Sequence, residues 1–320
     1  MNAGSTPARV VCLGEALVDF VCERPVASLG DADFFVPRPG GSLPNIAVCA
    51  ARFGASVEML GGAGDDEWGH WLRERIAAEG VGVERFVLMP GAGTSHAFVS
   101  VAADGEPSFA FYGDPQRPAA HAGDDLTPAL EGDPGVLVVG SDTLLGQAEC
   151  EVTMRAAALA HERGWQVLCD PNLRPNRWPD DETMLKVIRE LVAEATVVKC
   201  NEGEALKLGG QSEVQAAGIA LRELGPDAVV VTLGEDGAIV VSADGVESVE
   251  GRAAEVVDST GAGDCVAGVV AAGLATGVDP RALGPTVSVA MAAAAGVVST
   301  WGATAGLPSA PMARRMLATR

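Results

Sequence analysis

Short β-branched runs alternate along the chain with segments of helical spacing, and this alternation limits the possible folds more than any other feature of the sequence. Arg9 to Leu13, Val57 to Leu60, Val136 to Val139, Gln166 to Cys169, Thr196 to Cys200 and Ala228 to Thr232 have the length and composition of strands. Pro44 to Arg52, Trp68 to Ala78, Ala148 to Glu162, Glu182 to Glu194 and Ser212 to Leu224 carry the apolar spacing of helices. This order predicts a mostly parallel sheet covered by helices. Two stretches break the rhythm. Leu17 to Val36, and Ser95 to Tyr112 with its turn at Ala103 to Glu106, read as successive strands without a helix between them. They are expected to form a small separate sheet that covers ligands bound at the carboxyl ends of the main strands. Gly113 to Asp125, rich in Pro, Gly and Asp, is expected to lead from this lid back to the core and to order when substrate binds. With no repeat and no low-complexity linker, residues 1–320 are expected to form one domain, with lid strands from about 15–38 and 94–113.

The net charge of −21, from 43 acidic against 22 basic residues, argues against a nucleic-acid or anionic-membrane partner. It suits solubility, with adaptation to high salt as the alternative. Seven cysteines lack any Cys-x-x-Cys spacing and several sit in apolar runs, as expected of small hydrophobes in a reducing cytoplasm. Met1 to Val10 contains no apolar signal core, and Val287 to Val298 is too short and broken to cross a bilayer. A cytoplasmic protein is expected. His70, His96, His121 and His161 are widely spaced and show no zinc pattern.

The sequence Asp258-Ser259-Thr260-Gly261-Ala262-Gly263-Asp264-Cys265 precedes the apolar run Val266 to Ala275. It places two glycines at a helix start, where bare N–H groups and the helix dipole attract an oxyanion. Asp264 makes little sense there as an anion binder, but good sense as a base accepting a proton from an attacking hydroxyl. The plain alternative is a turn followed by close helix packing. A Walker A loop is excluded, because Lys186, Lys199 and Lys207 are the only lysines and none follows a glycine. The dinucleotide fingerprint fails as well, with Val266 and Glu67 where Gly or Ala is required.

Upstream lie Gly14-Glu15-Ala16-Leu17-Val18-Asp19, Gly40-Gly41-Ser42-Leu43-Pro44-Asn45, Gly64-Asp65-Asp66-Glu67-Trp68-Gly69, Asp170-Pro171-Asn172-Leu173-Arg174, Asn201-Glu202-Gly203-Glu204 and Thr232-Leu233-Gly234-Glu235-Asp236-Gly237. Together with the Gly-Ala-Gly-Asp element, from about Val10 to Pro308, they resemble the PfkB, or ribokinase-like, family of carbohydrate kinases. The resemblance implies a three-layer α/β fold, with a central sheet flanked by helices and a β lid, and ATP-dependent phosphorylation of a sugar or nucleoside hydroxyl. It implies Asp264 as general base and the N–H groups of Gly261, Ala262 and Gly263 as anion hole.

It also implies that Asp19, Gly40, Gly41 and Asn45 bind sugar. On the residues alone, Asp19 can equally be a solvated turn acid, and Gly40, Gly41 and Asn45 a turn and cap. Asn201 and Glu204 match an Asn-x-x-Glu motif that acts on Mg²⁺ largely through water, against the plain reading of an acidic first helical turn. Thr232, Gly234 and Gly237 are expected along the ATP path, or else at a strand exit. Asp65 and Asp66 are given a structural role, capping the helix near Trp68. Asp258 and the Gly302-Ala303 turn resemble the region that binds a monovalent cation, K⁺, in some relatives.

The motifs look most like the fructokinase and 2-keto-3-deoxygluconate kinase branch. Acid-sugar kinases there carry a Tyr-x-Arg element, whereas Phe111-Tyr112-Gly113-Asp114 has an acid in place of the arginine. A neutral hexose, fructose first, is therefore expected over 2-keto-3-deoxygluconate or a nucleoside, with Arg174 contacting the sugar or a phosphate. Met291 stands where many relatives have Asn, which bears on nucleotide contacts. The exposed lid is expected to pair two chains into a homodimer. A sensor without catalysis and a dinucleotide-dependent oxidoreductase are the competing classes; a sensor has no need of Asp264.

Overall fold

The computed structural model describes residues 9–319, so Met1–Ala8, most of the stretch read as lacking a signal core, lies outside the described residues. The strands are β1 (Arg9–Glu15), β2 (Leu17–Pro25), β3 (Val36–Gly40), β4 (Ser56–Gly64), β5 (Phe86–Met89), β6 (His96–Val101), β7 (Pro107–Tyr112), β8 (Val136–Gly140), β9 (Gln166–Asp170), β10 (Val197–Asn201), β11 (Ala228–Thr232), β12 (Ala238–Ser242) and β13 (Gly245–Val249). The helices are α1 (Ser42–Arg52), α2 (Glu67–Ala78), α3 (Arg117–His121), α4 (Leu126–Ala129), α5 (Gln147–Glu162), α6 (Asp181–Ala193), α7 (Glu202–Gly209), α8 (Val214–Arg222), α9 (Ala262–Ala275), α10 (Gly284–Val297) and α11 (Ala310–Ala318).

Nine strands form the large sheet in the order β13-β12-β11-β10-β9-β8-β1-β4-β5. All neighbours run parallel except β12, which is antiparallel to β11 and β13. β5, β12 and β13 are not among the strands read from the sequence, and they occupy the ends of the sheet. Strand β1 shows why the sheet is a middle layer. Val10 and Cys12 pack on one side with α1 and α9, while Val11 and Leu13 pack on the other with α5 and α6. Helices thus cover both faces. The order turns around at β1, whose neighbours are β4 and β8, and such a reversal opens a crevice at the carboxyl ends of the strands.

The predicted lid is the second sheet, in the order β3-β2-β6-β7. Its two faces differ in chemistry. Leu17, Val21, Ala97 and Val99 pack with Phe109 and Phe111 on the inner side. On the other, Phe20 stacks on Phe98 at 5.3 Å and His96 on Tyr112 at 5.5 Å. The predicted cap is present: Asp66 accepts N–H bonds from Gly69 (2.9 Å) and Thr94 (2.7 Å), joining the start of α2 to the start of the lid hairpin.

The connection Gly113 to Asp125 leads from the lid back to the core. It contains α3, and its Ala119 and Ala122, with Leu126 just beyond it at the start of α4, are buried against the large sheet. Their spacing is helical, and the burial of three apolar side chains offsets the cost of ordering a Pro- and Gly-rich segment.

Helix α9 is apolar on every side and buried from Cys265 to Ala275, between α1 and α10. Gly268 allows α1 to lie against it: a Cβ there would stand 2.5 Å from Cys49 Cβ and 2.9 Å from the Ile46 carbonyl. Gly268→Val is expected to push these helices apart. A loss of about 1–3 kcal/mol in stability and a slower catalysed reaction should follow, measured by denaturant unfolding and initial rates. Unchanged stability would show that the helix contact has slack.

Candidate active site

A cavity of about 650 Å³ lies between the lid and the carboxyl edge of the large sheet. Asp264, in the first turn of α9, faces into it. Its Oδ1 accepts a hydrogen bond from Ser42 Oγ (2.7 Å) and its Oδ2 one from Asn45 Nδ2 (2.8 Å). Burial raises the Asp264 pKa, as does the charge of Asp170, while the bonds from Asn45 and Ser42 pull it down. The balance leaves a more basic carboxylate than usual, held in one orientation.

Gly261, which precedes α9, adopts φ 82°, and a Cβ there would stand 2.5 Å from Ala303 Cα. At Gly263 a Cβ would stand 2.6 Å from Lys199 Nζ. The missing side chain therefore lets an ammonium sit beside the helix start. Lys199 is buried on β10 and pairs with Asp170 at 3.1 Å. Burial alone would lower its pKa, but Asp170 and Glu204 outweigh it and hold the ammonium charged. The Ala262 N–H bonds weakly to the Ser259 carbonyl (3.3 Å) and must exchange that partner to meet an anion.

At the opposite end, Asp19 on β2 is buried and its pKa is pushed up to about 7, by burial and by the charges of Asp264 and Asp258, with Arg174 opposing. Gly41 lines the cavity with φ 99°, where a side chain would be strained. Gly40 does not line it. A Cβ at Gly40 would collide with the Asp19 carboxylate, so this glycine makes room for Asp19. Arg174 lines the cavity 5.8 Å over the Phe109 ring.

Asn201 and Glu204 form a capping box at the start of α7. Glu204 accepts N–H bonds from Leu173 (2.7 Å) and Asn201 (2.9 Å), one on each oxygen. Thr232 and Gly234 line the cavity. Gly237 does not, and the expectation that it lines the ATP path is corrected: it turns β11 into β12, where a Cβ would collide with the Val249 carbonyl. Asp258 is buried outside the cavity lining and accepts N–H bonds from Thr260 (3.0 Å) and Gly302 (2.9 Å). It ties the loop before α9 to the turn expected beside it.

Several residues at the site carried no assigned role in the sequence. Glu15, at the end of β1, accepts the Ser42 N–H (2.7 Å), and its other oxygen has no partner. Burial pushes its pKa up to about 8, with help from Asp142 and Asp264. Ser42 touches the carboxylate of Asp264 itself. Arg177 joins Asp142 (3.0 Å) and lies 5.5 Å over Phe111, clamping the loop after β9 to the lid. Lys199 had a visible signal, as a lysine within an apolar strand in a chain with only two others.

A glycine-lined helix start with a buried ammonium next to it, beside a basic carboxylate, suits the transfer of a phosphoryl group to a hydroxyl, which defines a class of phosphotransferases. Comparison with known proteins leads to the same class. Residues 7–310 match the description "pfkB family carbohydrate kinase", and the chain belongs to that family. It is 33% identical to fructokinase-2 of Solanum lycopersicum over 271 residues, 84% of this chain and 83% of the relative. It is 32% identical to aminoimidazole riboside kinase of Salmonella typhimurium over 302 residues, 94% of this chain and 92% of the relative. Its fold is similar to a double mutant of Vibrio cholerae O395 fructokinase bound to fructose, ADP and potassium. The TM-score is 0.85 at 28% identity, covering 98% of this chain and 99% of the other. The protein is a carbohydrate kinase of the ribokinase-like fold.

Raised acid pKa values make stability depend on pH. Glu15 binds its proton more tightly folded than unfolded, so its stabilising contribution is complete below its ordinary value of 4.5 and disappears as pH rises to about 8. Melting temperature is therefore expected to fall between about pH 5 and 8. Glu15→Gln, which keeps an acceptor for the Ser42 N–H, should fall less steeply. Parallel melting curves for the two proteins would contradict the buried, protonated Glu15.

Proposed function

We propose that the protein is an ATP-dependent fructokinase and that Asp264 is its general base. The observation that carries the reading is the two-point grip of Ser42 and Asn45 on Asp264, in the cavity shared with Lys199 and Gly263. A sugar hydroxyl gives its proton to Asp264 while its oxygen bonds to the γ-phosphorus. The bond from that phosphorus to the bridging oxygen breaks and ADP leaves. The N–H groups of Gly261, Ala262 and Gly263 receive the charge on the transferred phosphoryl group, with Lys199 as a second donor. Asp19, Gly41, Asn45 and Arg174 hold the sugar, and Thr232 and Gly234 border the triphosphate.

Magnesium fits this site through water. Both Glu204 oxygens already accept backbone N–H groups, and no group of three or more His, Cys, Asp or Glu among the described residues could hold a metal ion. An ion that keeps several waters and rides on the substrate phosphates suits such a site, with Glu204 and Asn201 holding its hydration shell. When bound, it neutralises phosphate charge. Asp258 and the Gly302 turn are the place for a potassium ion.

Fructose is preferred to an acid sugar because Asp19 and Asp142 border the sugar end, where a substrate carboxylate would meet repulsion and find Arg174 alone to pair with. Aminoimidazole riboside is the second reading. Phe109 and Phe111, parallel at 5.6 Å on the cavity wall, offer a face on which a heterocycle can stack.

Residues 1–320 act as one kinase unit under the lid. A second copy of the chain covers the outer lid face, where Tyr112 is 53% and Trp68 39% exposed beside Phe20. Light scattering should then give twice the chain mass of 32.5 kDa. The cytoplasm suits seven cysteines with no disulfide among them. No helix among the described residues is long and apolar enough to cross a membrane.

The expected outcome of an ATP-coupled assay is highest kcat/KM with fructose, followed by aminoimidazole riboside, with 2-keto-3-deoxygluconate last and faster rates in potassium than in sodium. Asp264→Asn should lower kcat by about 10²–10⁴ and leave sugar affinity nearly intact. Full activity in that variant would rule out Asp264 as the base, and preference for the acid sugar would overturn the substrate order.

A further inference from the structure

A second cavity, of about 460 Å³, continues from the helix start between α9 and α10 and shares Thr232, Gly234, Ser259, Ala262 and Gly263 with the first. If the triphosphate lies at the helix start, as proposed above, this cavity takes the nucleobase. Its chemistry is lopsided. Val266, Met291 and Ala294 are buried and lie deep, joined by Ala295 and Val298. The polar side chains of Asp104, Glu106, Glu235 and Arg252 belong to exposed residues at the mouth.

The carbonyls of the deep wall are already engaged. Ala294 O accepts Val298 N–H (3.0 Å), Ala295 O accepts Ser299 Oγ (3.0 Å), and Val298 O accepts the N–H groups of Val257 (2.8 Å) and Asp258 (3.2 Å). Met291 offers only a weakly accepting thioether where a polar side chain could have read a base edge. A base lying there is held by dispersion and by burial of its faces, which depend on ring size more than on the exocyclic groups that separate adenine from guanine.

The size of the effect follows from how sites discriminate. A site that hydrogen-bonds a substrate group rejects an analogue lacking it by about 10⁴–10⁵, whereas apolar contact separates near-isosteres by about 10–200-fold. We infer that the donor site selects a purine ring without distinguishing adenine from guanine, and that Met291 is the residue that sets this tolerance. The inference rests on the kinase reading for the placement of the triphosphate.

The test measures kcat/KM for ATP and GTP with one sugar, and dissociation constants for ADP and GDP by calorimetry, in the wild type, Met291→Asn and Met291→Gln. In the wild type, ATP and GTP are expected within about thirtyfold of each other in both measurements. An amide at position 291 is expected to widen the gap by about tenfold or more, toward whichever purine it pairs with. Met291→Gln, closer to methionine in length, guards against loss of fold in Met291→Asn. A wild-type gap above about thirtyfold, or failure of both diphosphates to bind, overturns the inference. An unchanged ratio in both folded variants removes Met291 from it. Binding of both diphosphates without turnover of any sugar would instead defeat the kinase reading and leave the nucleobase result standing, so the two failures are distinguishable.

Discussion

The contact between α1 and α9 is the constraint on which the site depends. Helix α9 is buried from Cys265 to Ala275, which anchors the half-buried first turn before it, and α1 lies against it because Gly268 leaves room for Cys49. One turn before Cys49, Asn45 reaches Asp264, and Ser42 reaches it from the start of the same helix. Glu15 fixes that start by accepting the Ser42 N–H. The carboxylate proposed as the base is thus oriented by packing of apolar helices, so that its orientation would cost no reorganisation when substrate arrives.

The same region concentrates acids. Glu15, Asp19, Glu204 and Asp264 all have raised pKa values, with burial as the first cause in each case. Mutual repulsion adds to burial, and the buried cation Lys199 opposes it through its pair with Asp170. Such a cluster weakens the folded state at neutral pH, but it fits a cavity in which hydroxyl groups must be held and one of them deprotonated. The lid completes the enclosure: the Gly105 carbonyl at its hairpin turn accepts the Ser259 N–H (2.9 Å), and Arg177 clamps its inner face.

Much of this was legible in the sequence because the signals were local. Strand runs such as Val136 to Val139 and the Asp66 cap depend on neighbours a few residues away, and the glycines before Asp264 mark a helix start by themselves. What could not be read was pairing across long separations. Ser42 meets Asp264 over 222 residues, and Lys199 meets Asp170 over 29, so neither contact leaves a local pattern. Gly40 and Gly237 were legible as glycines but not as to purpose. One makes room for Asp19 and the other turns a strand, and only the identity of the atom facing each missing Cβ separates those uses from ligand contact. In Gly113 to Asp125, composition suggested a loop, while the spacing of Ala119 and Ala122, continued by Leu126 just beyond it, decided the outcome.

The central claim is that Asp264 acts as a base tuned by its hold on α1. The pH dependence of kcat/KM in the wild type and in Ser42→Ala tests it most directly. Ser42 favours the ionised carboxylate, so its loss should move the acid limb to higher pH and lower the plateau. An acid limb that stays in place, with only the affinity for sugar reduced, would show that Ser42 serves the substrate and that Asp264 does not set the rate.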